Sequence, residues 1–79
     1  MKKRLTRAAR AVELRALIDS GQARDRRVLS GHTQAEAARY CEVSQAAIHR
    51  WERGERYPRG RNVDVYHRWL SRLVIQEAA

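Results

Sequence analysis

The chain of 79 residues contains one cysteine, one proline and no long hydrophobic run. Because Cys41 is the sole cysteine, no intramolecular disulfide can form, and His32, His49 and His67 lack the spacing of a zinc site. We expect His32 to be a half-buried structural residue. No segment approaches the roughly 18 apolar residues of a membrane-spanning helix. The sequence therefore predicts a soluble cytoplasmic protein with no metal, no cofactor and no membrane contact.

Residue patterns that support catalysis are also missing. The sequence has no Cys/His pair, no paired carboxylates and no phosphate-cradling glycine loop at a usable spacing. We therefore expect neither an enzyme nor a small-molecule substrate. With no disulfide or metal, so small a chain needs good helix packing or oligomerisation for its stability.

Acidic residues are the scarcer charge, since 9 Asp and Glu stand against 17 Lys and Arg, for a net charge of +8. The basic residues form two clusters. One lies within residues 2–10 and contains no acid, and the other contains Arg50, Arg53, Arg56, Arg59 and Arg61. Two such clusters favour a phosphate-binding surface, whose affinity falls as salt rises. Judged by charge alone, a merely solvated surface is an equally good interpretation.

The hydrophobic pattern predicts one all-α domain over residues 1–79 with five helices. Apolar residues at helical spacing, bounded by glycine or serine, place these helices at 8–19, 22–30, 34–41, 45–53 and 62–77. Asn62 is the expected cap of the last helix. Residues 1–7 form a basic arm that either extends the phosphate-binding surface or is disordered.

Residues 33–54 carry the local signals of a helix-turn-helix. Thr33 and Glu36 have the spacing of a capping box, in which each side chain accepts a hydrogen bond from the backbone N–H of the other residue. Ser44 caps the next helix, and Gly54 suits the left-handed conformation that ends it. Two short capped helices separated by about three residues are typical of helix-turn-helix proteins.

The same segment resembles a known family. The resemblance is carried by Thr33-Gln34-Ala35-Glu36-Ala37-Ala38, by Val43-Ser44-Gln45-Ala46-Ala47-Ile48-His49-Arg50-Trp51-Glu52-Arg53-Gly54 and by Pro58. This pattern is similar to the Cro/Xre class of phage and bacterial transcriptional regulators, over about residues 22–73. The resemblance implies a compact five-helix fold like that of the lambda repressor and double-stranded DNA as the partner. The arginine-rich segment around Pro58, followed by a C-terminal amphipathic helix, is similar to actinobacterial or actinophage members.

In this class the second helix of the motif enters the major groove with its first residues facing the base edges. The resemblance therefore implies base contacts from Gln45, Ala46, His49 and Arg50. Glutamine suits adenine and arginine suits guanine, because each can form two hydrogen bonds with that base. A phosphate contact is the alternative for Arg50. Phosphate contacts are implied for Gln34, Ser44, Arg53, Arg56, Arg59 and Arg61.

Other residues of the motif are expected to hold the reading helix in place. The side opposite the groove carries Ala38, Val43, Ile48 and Trp51, which are predicted to lie in the core. Glu52 resembles the structural acid of the family. We expect it to pair with Arg27 across the domain, partly buried.

The turn and the space behind it depart from the family pattern. Ala37 and Cys41 stand where larger aliphatic residues are common, so Trp51, Tyr40 or the first helix must fill the space. Glu42 stands where the family usually has glycine, and a positive φ there costs a non-glycine residue about 1 kcal/mol.

The last helix has two apolar faces. The first carries the core-spaced residues Val63, Tyr66, Leu70 and Leu73, and the second carries Val65, Trp69, Val74 and Ile75. The second face can cover the first helix of the same chain or bury against a second copy. We favour a weak homodimer through this helix.

Two functions fit these features. The first is sequence-specific binding of a DNA operator by a small transcriptional regulator, a Cro-like repressor of a phage or mobile element. The alternative is an antitoxin that binds both an operator and a toxin partner. A toxin gene beside the reading frame would favour the second.

Overall fold

The computed structural model describes residues 5–74. It contains five helices: α1 (Arg7–Asp19), α2 (Gln22–Leu29), α3 (Gln34–Cys41), α4 (Gln45–Glu52) and α5 (Arg61–Arg72). Residues 5–74 contain no strand, and none of their helices is long and apolar enough to cross a membrane. The predicted all-α class is confirmed, and the first four helices lie within one residue of their predicted bounds.

Polar side chains cap the starts of α1, α3 and α4. Thr6 accepts a backbone N–H of α1 at 3.1 Å, and Ser44 accepts one of α4 at 3.0 Å. At α3 the predicted capping box is present, since Thr33 accepts the N–H of Glu36 while the Glu36 carboxylate accepts the N–H of Thr33. These hydrogen bonds fix the first residues of both helices of the motif.

The start of α5 differs from the prediction, because Asn62 is not its cap. The helix begins at Arg61, directly after Gly60, whose φ of 57° and ψ of −134° lie in a region that favours glycine. The N–H groups of Asn62 and Val63 donate to the carbonyls of Arg59 and Gly60, three residues earlier in each case, at 3.1 Å. The backbone of Gly60 thus starts the helix without a side-chain cap.

The end of α5 also lies earlier than predicted. The helix stops at Arg72, because Leu73 has extended backbone angles, with φ −67° and ψ 133°. The predicted continuation is wrong at residues 73 and 74, and residues 75–79, with Ile75 among them, lie outside the described part.

Helix α5 lies at the centre of the packing and contacts α1, α2 and α3. The buried apolar core consists of Leu14, Ile18, Ala23, Ala37, Ala38, Cys41, Ile48, Trp51, Val63, Tyr66, Trp69 and Leu70. The predicted core positions Ala38, Ile48 and Trp51 are therefore confirmed, and Val43 is partly buried against them.

The aromatic rings of Trp51 and Tyr66 pack in the same buried core as the small residues Ala37 and Cys41, whose size leaves space there. The ring centroids of Trp51 and Tyr66 lie 5.0 Å apart, and Tyr66 is fully buried. Of the predicted candidates, Trp51 contributes, whereas Tyr40 is 42 % exposed and does not. The sequence assigned Tyr66 to the core without linking it to this space, because the linkage depends on how α5 crosses α3.

The second apolar face of α5 is covered within the chain. Trp69 is 6 % exposed, and its ring centroid lies 5.7 Å from that of His32 and 6.4 Å from that of Tyr40. Val65 is half-buried against the core, whereas Val74 is exposed. Trp69 is thus covered within the chain by His32, just before α3, and by Tyr40 near the end of α3, and not by the first helix. A homodimer through α5 stays a prediction. His32 is half-buried, as expected.

Two ion pairs tie α1 to α5. The Nε atoms of Arg7 and Arg10 each donate to a carboxylate oxygen of Asp64 at 2.8 Å. The hydrogen bond from Arg7, which has the larger effect, and the one from Arg10 both lower the pKa of the Asp64 carboxyl below its ordinary value. Arg7 therefore belongs to a helix and not to the predicted arm, whereas Lys2, Lys3 and Arg4 lie outside the described residues.

Candidate nucleic-acid interface

The turn between α3 and α4 is tight and passes through a left-handed residue. Glu42 has φ 56° and ψ 45°, and its N–H donates to the carbonyl of Arg39 at 3.3 Å. The N–H of Val43 donates to the carbonyl of Ala38 at 3.0 Å. This left-handed conformation costs a residue with a Cβ about 1 kcal/mol. The fold keeps it at Glu42 and does not shift the backbone out of it. The turn brings α4 across α3.

Helix α4 has one buried and one exposed face. Ile48 is fully buried and Trp51 is 5 % exposed, and both pack into the core. The exposed face carries Gln45, Ala46, His49 and Arg50, the four residues predicted to contact bases. Within residues 5–74 the side chains of Gln45, His49 and Arg50 make no hydrogen bond. The structure therefore brings the four predicted residues together on one exposed surface, with their polar groups unpaired.

A buried ion pair fixes the end of α4 against α2. The guanidinium of Arg27 donates to both carboxylate oxygens of Glu52, at 2.5 and 3.0 Å, and its third nitrogen donates to the carbonyl of His32 at 2.9 Å. The Arg27 and Glu52 side chains are only 11 % and 2 % exposed. The expected pairing is present, and it links α2, the end of α4 and the segment before α3.

The side chain of Gln34, predicted to contact phosphate, is engaged inside the protein. Its Nε2 donates to Oε1 of Glu52 at 3.0 Å. Because a carboxylate can only accept, the amide presents its NH2 group to Glu52 and its carbonyl oxygen to other surroundings. The NH2 group has a second hydrogen, which can donate to a phosphate while the first donates to Glu52.

Two of the predicted phosphate-binding arginines form exposed ion pairs. The Nε of Arg53 donates to Oε1 of Glu55 at 2.7 Å, and Nη1 of Arg61 lies 3.7 Å from Oε2 of Glu42. All four side chains are at least half exposed, so these pairs are weak and can exchange for phosphate. Arg56 and Arg59 make no ion pair among the described residues.

An open basic cleft lies between α4 and the start of α5. Three arginines line it, Arg50, Arg56 and Arg59, together with Ala47, Trp51, Tyr57 and Asn62. Three cations around one cleft, beside the exposed face of α4, create a positive potential suited to the phosphate backbone. Phosphate is therefore the ligand chemistry that this cleft fits.

The match to known families agrees with this geometry. A model of the helix-turn-helix family matches residues 24–66, just over half of the chain. The chain belongs to this family, in its Cro/Xre-type branch. It is a DNA-binding transcriptional regulator. Comparisons with curated proteins and with solved structures gave no match.

The match begins after α1 and ends within α5. It covers nearly all of α2 and the whole of the motif formed by α3 and α4. The exposed face of α4, the pair of Arg27 and Glu52 and the loop that carries Arg56 and Arg59 all lie within the matched residues. Helix α1 lies outside the matched residues.

The described part of the helix-turn-helix protein contains no cluster of residues that could hold a metal ion. Its one thiol, Cys41, is 2 % exposed, and burial raises its pKa to about 11. The thiol is therefore protonated at neutral pH and is a core residue.

Sequence reasoning missed the residues that hold the loop between α4 and α5. The hydroxyl of Tyr57 donates to Oδ1 of Asp19 at 2.6 Å, and the guanidinium of Arg15 lies 4.0 Å above the Tyr57 ring. The four-residue spacing of Arg15 and Asp19 on one side of α1 was visible in the sequence. Their partner, 38 residues from Asp19, was not.

Proposed function

We propose that this helix-turn-helix protein recognises a specific operator in double-stranded DNA and represses transcription there, as Cro-like repressors of phages and mobile elements do. The observation that carries the proposal is the exposed face of α4, where Gln45, Ala46, His49 and Arg50 lie side by side. Polar groups left without partners on one helix face are ready to bind base edges in the major groove.

Two residues are assigned as the main base readers. Gln45 is the first residue of α4, and its amide offers the donor and acceptor that adenine requires. Arg50 lies further along the exposed face, and its fork of N–H groups suits the O6 and N7 atoms of guanine. Ala46 fits a thymine methyl group, and His49 lies close enough to Gln45 on the helix to contact the same bases.

The backbone contacts are assigned to the residues around the two ends of α4. Ser44 lies at its start, and Arg56 and Arg59 lie in the loop that follows it. Arg53 and Arg61 join them by exchanging their exposed carboxylate partners for phosphate. Such contacts hold the helix in register and carry no sequence information themselves.

The test is selection of bound duplexes from a random DNA pool with the wild-type chain, Gln45→Ala and Arg50→Ala. We expect one enriched site with wild type and relaxed preference at separate base positions in the two variants. Each substitution should lower affinity for the enriched site by about 1 to 3 kcal/mol. The symmetry of the site also reports whether one or two copies bind.

Matched controls are available in the same chain. Gln22 is exposed and is the first residue of α2, as Gln45 is of α4, and Arg68 is an exposed arginine of α5. Gln22→Ala and Arg68→Ala should enrich the wild-type site unchanged. Failure of the wild-type chain to enrich any sequence would overturn specific recognition, and an enriched site that activates a reporter promoter would overturn repression.

A further inference from the structure

Helix α1 meets the DNA-facing loop through one tyrosine. Tyr57 lies in the segment between α4 and α5, which has no regular structure, and it is flanked in sequence by Arg56 and by Pro58-Arg59. Its hydroxyl donates to Oδ1 of Asp19 at 2.6 Å. Its ring lies under the guanidinium of Arg15, with 4.0 Å between Cζ and the ring centroid.

The two partners of Tyr57 lie on one side of the same helix. Arg15 and Asp19 are four residues apart in α1, so their side chains project from neighbouring turns. The tyrosine is therefore held on its face by a cation and at its tip by a carboxylate. A ring held at both places has little freedom to rotate.

Neighbouring contacts keep the whole loop against α1. Gly54 lies so close that a Cβ added to it would stand 3.8 Å from Oδ1 of Asp19 and 4.0 Å from Cγ2 of Ile18. Pro58 is buried and lines one small cavity together with Ala11 and Leu14 of α1. The loop thus lies close to α1 before, at and after Tyr57.

From this geometry we infer that Tyr57, held by Asp19 and Arg15, is a positioning residue. It places Arg56 and Arg59 where their side chains reach the phosphates of bound DNA. The inference rests on the function proposed above and deepens it. It assigns to α1, which lies outside the matched family segment, a part in DNA binding that requires no contact with DNA. The loop is ordered before binding, so less conformational entropy is lost when phosphates are bound.

The decisive variants are Tyr57→Phe, Asp19→Asn and Asp19→Ala. Tyr57→Phe keeps the ring under Arg15 and removes the hydroxyl. Both substitutions of Asp19 remove one negative charge, but asparagine retains an oxygen that accepts from the tyrosine. The difference in DNA affinity between Asp19→Asn and Asp19→Ala therefore measures the effect of the hydrogen bond, because both variants lack the charge.

Binding is measured against salt, with the duplex enriched by the wild-type chain and with a random duplex of equal length. We expect Tyr57→Phe to weaken binding to both duplexes by about five-fold. The slope of log K against log salt should become shallower by about one phosphate contact. The affinity of Asp19→Ala for DNA should be lower than that of Asp19→Asn by a similar factor. The double variant Asp19→Ala with Tyr57→Phe should lose no more affinity than either substitution alone.

Tyr40→Phe is the matched control, because Tyr40 is also partly exposed and its hydroxyl accepts from Arg72 at 3.4 Å, away from the loop. All measurements are made at a temperature where circular dichroism shows every variant folded. The inference is overturned if Tyr57→Phe binds as wild type does, or if it weakens binding with an unchanged salt slope. A wild-type chain that does not prefer the enriched duplex instead overturns the proposed function, so the two failures are distinguishable.

Discussion

Two arginine–carboxylate clusters hold this fold together, and they differ in their surroundings more than in their geometry. In the helix-turn-helix segment Arg27 and Glu52 are 11 % and 2 % exposed. Between α1 and α5, Arg7 and Arg10 are 56 % and 28 % exposed and share Asp64, which is 21 % exposed. Removing one partner of a buried pair leaves an unpaired charge in a poor solvent, whereas water and salt compensate an exposed group. The comparison therefore teaches that burial, and not the number of contacts, decides which cluster the fold depends on.

The largest effect is expected for Glu52→Gln. The substitution keeps the shape of the side chain but leaves the charge of Arg27 buried without its counterion, and it alters the acceptor for Gln34. We expect the free energy of unfolding to fall by about 3 kcal/mol or more in urea or thermal unfolding.

The exposed pair of Arg53 and Glu55 provides the control. Glu55→Gln removes a carboxylate whose side chain is 50 % exposed and should change stability by less than about 0.5 kcal/mol. Equal losses of stability in Glu52→Gln and Glu55→Gln would contradict the comparison, because burial would then not decide how much an ion pair contributes to stability.

The next effect is a gain in the same region. Glu42→Gly removes the Cβ from a residue with φ 56°, and we expect stability to rise by up to about 1 kcal/mol. Glu42→Ala separates this from loss of the weak contact with Arg61, since alanine loses the contact and keeps the Cβ. If alanine stabilises the protein as much as glycine does, the backbone strain at this turn is refuted.

A smaller effect with a defined pH dependence is expected for Asp64→Asn. The hydrogen bonds from Arg7 and Arg10 lower the pKa of Asp64 from its ordinary value of 3.8, so the folded state favours the charged carboxylate. Its contribution is fully present above that ordinary value and is lost as the pH falls through the lowered pKa of the folded state. The stability difference between wild type and Asp64→Asn should therefore shrink below about pH 4 and also shrink in high salt.

Asp25→Asn is the control for this series, because Asp25 is exposed on α2 and forms no ion pair within residues 5–74. Its stability difference should be small and should not follow the profile of Asp64→Asn. A difference at Asp64 that persists unchanged at low pH would show that packing, and not the charge, ties α1 to α5.

The smallest effect is expected where the two regions meet, at Tyr66. Its hydroxyl is buried and has no hydrogen-bond partner among the described residues, and burial, followed by the nearby charge of Glu52, raises its pKa. Tyr66→Phe removes an unsatisfied group and keeps the ring, so stability should stay within about 1 kcal/mol of wild type or rise. Tyr66→Leu, which shrinks the ring site, should be clearly less stable. A large loss in Tyr66→Phe would reveal a partner for the hydroxyl.

Local features of the fold were predictable from the sequence. The caps at Thr33 and Ser44 depend on side chains within three residues of the groups they bind, so spacing alone identified them. The pair of Arg27 and Glu52 was also anticipated, but only through the resemblance of the motif to a family.

Contacts between distant segments were not predictable. The cover of Trp69 by residues in and before α3 was not foreseen, because helical periodicity shows which residues share a face, but not what covers that face. The clamp on Tyr57 and the pairing of Asp64 join segments 38 to 57 residues apart, and no local pattern encodes such pairings. Asn62 was mistaken for a cap because an unusual glycine backbone at residue 60 starts α5 instead.

The buried thiol of Cys41 makes opening of the helix-turn-helix motif measurable in solution. Cys41 faces the core from the last position of α3, and with a pKa of about 11 it reacts with alkylating reagents only after α3 separates from α5. The rate at which Cys41 is labelled therefore measures how often the motif opens. Bound DNA should slow this labelling as its occupancy rises, so the labelling rate of a core residue reports how strongly DNA binding stabilises the domain.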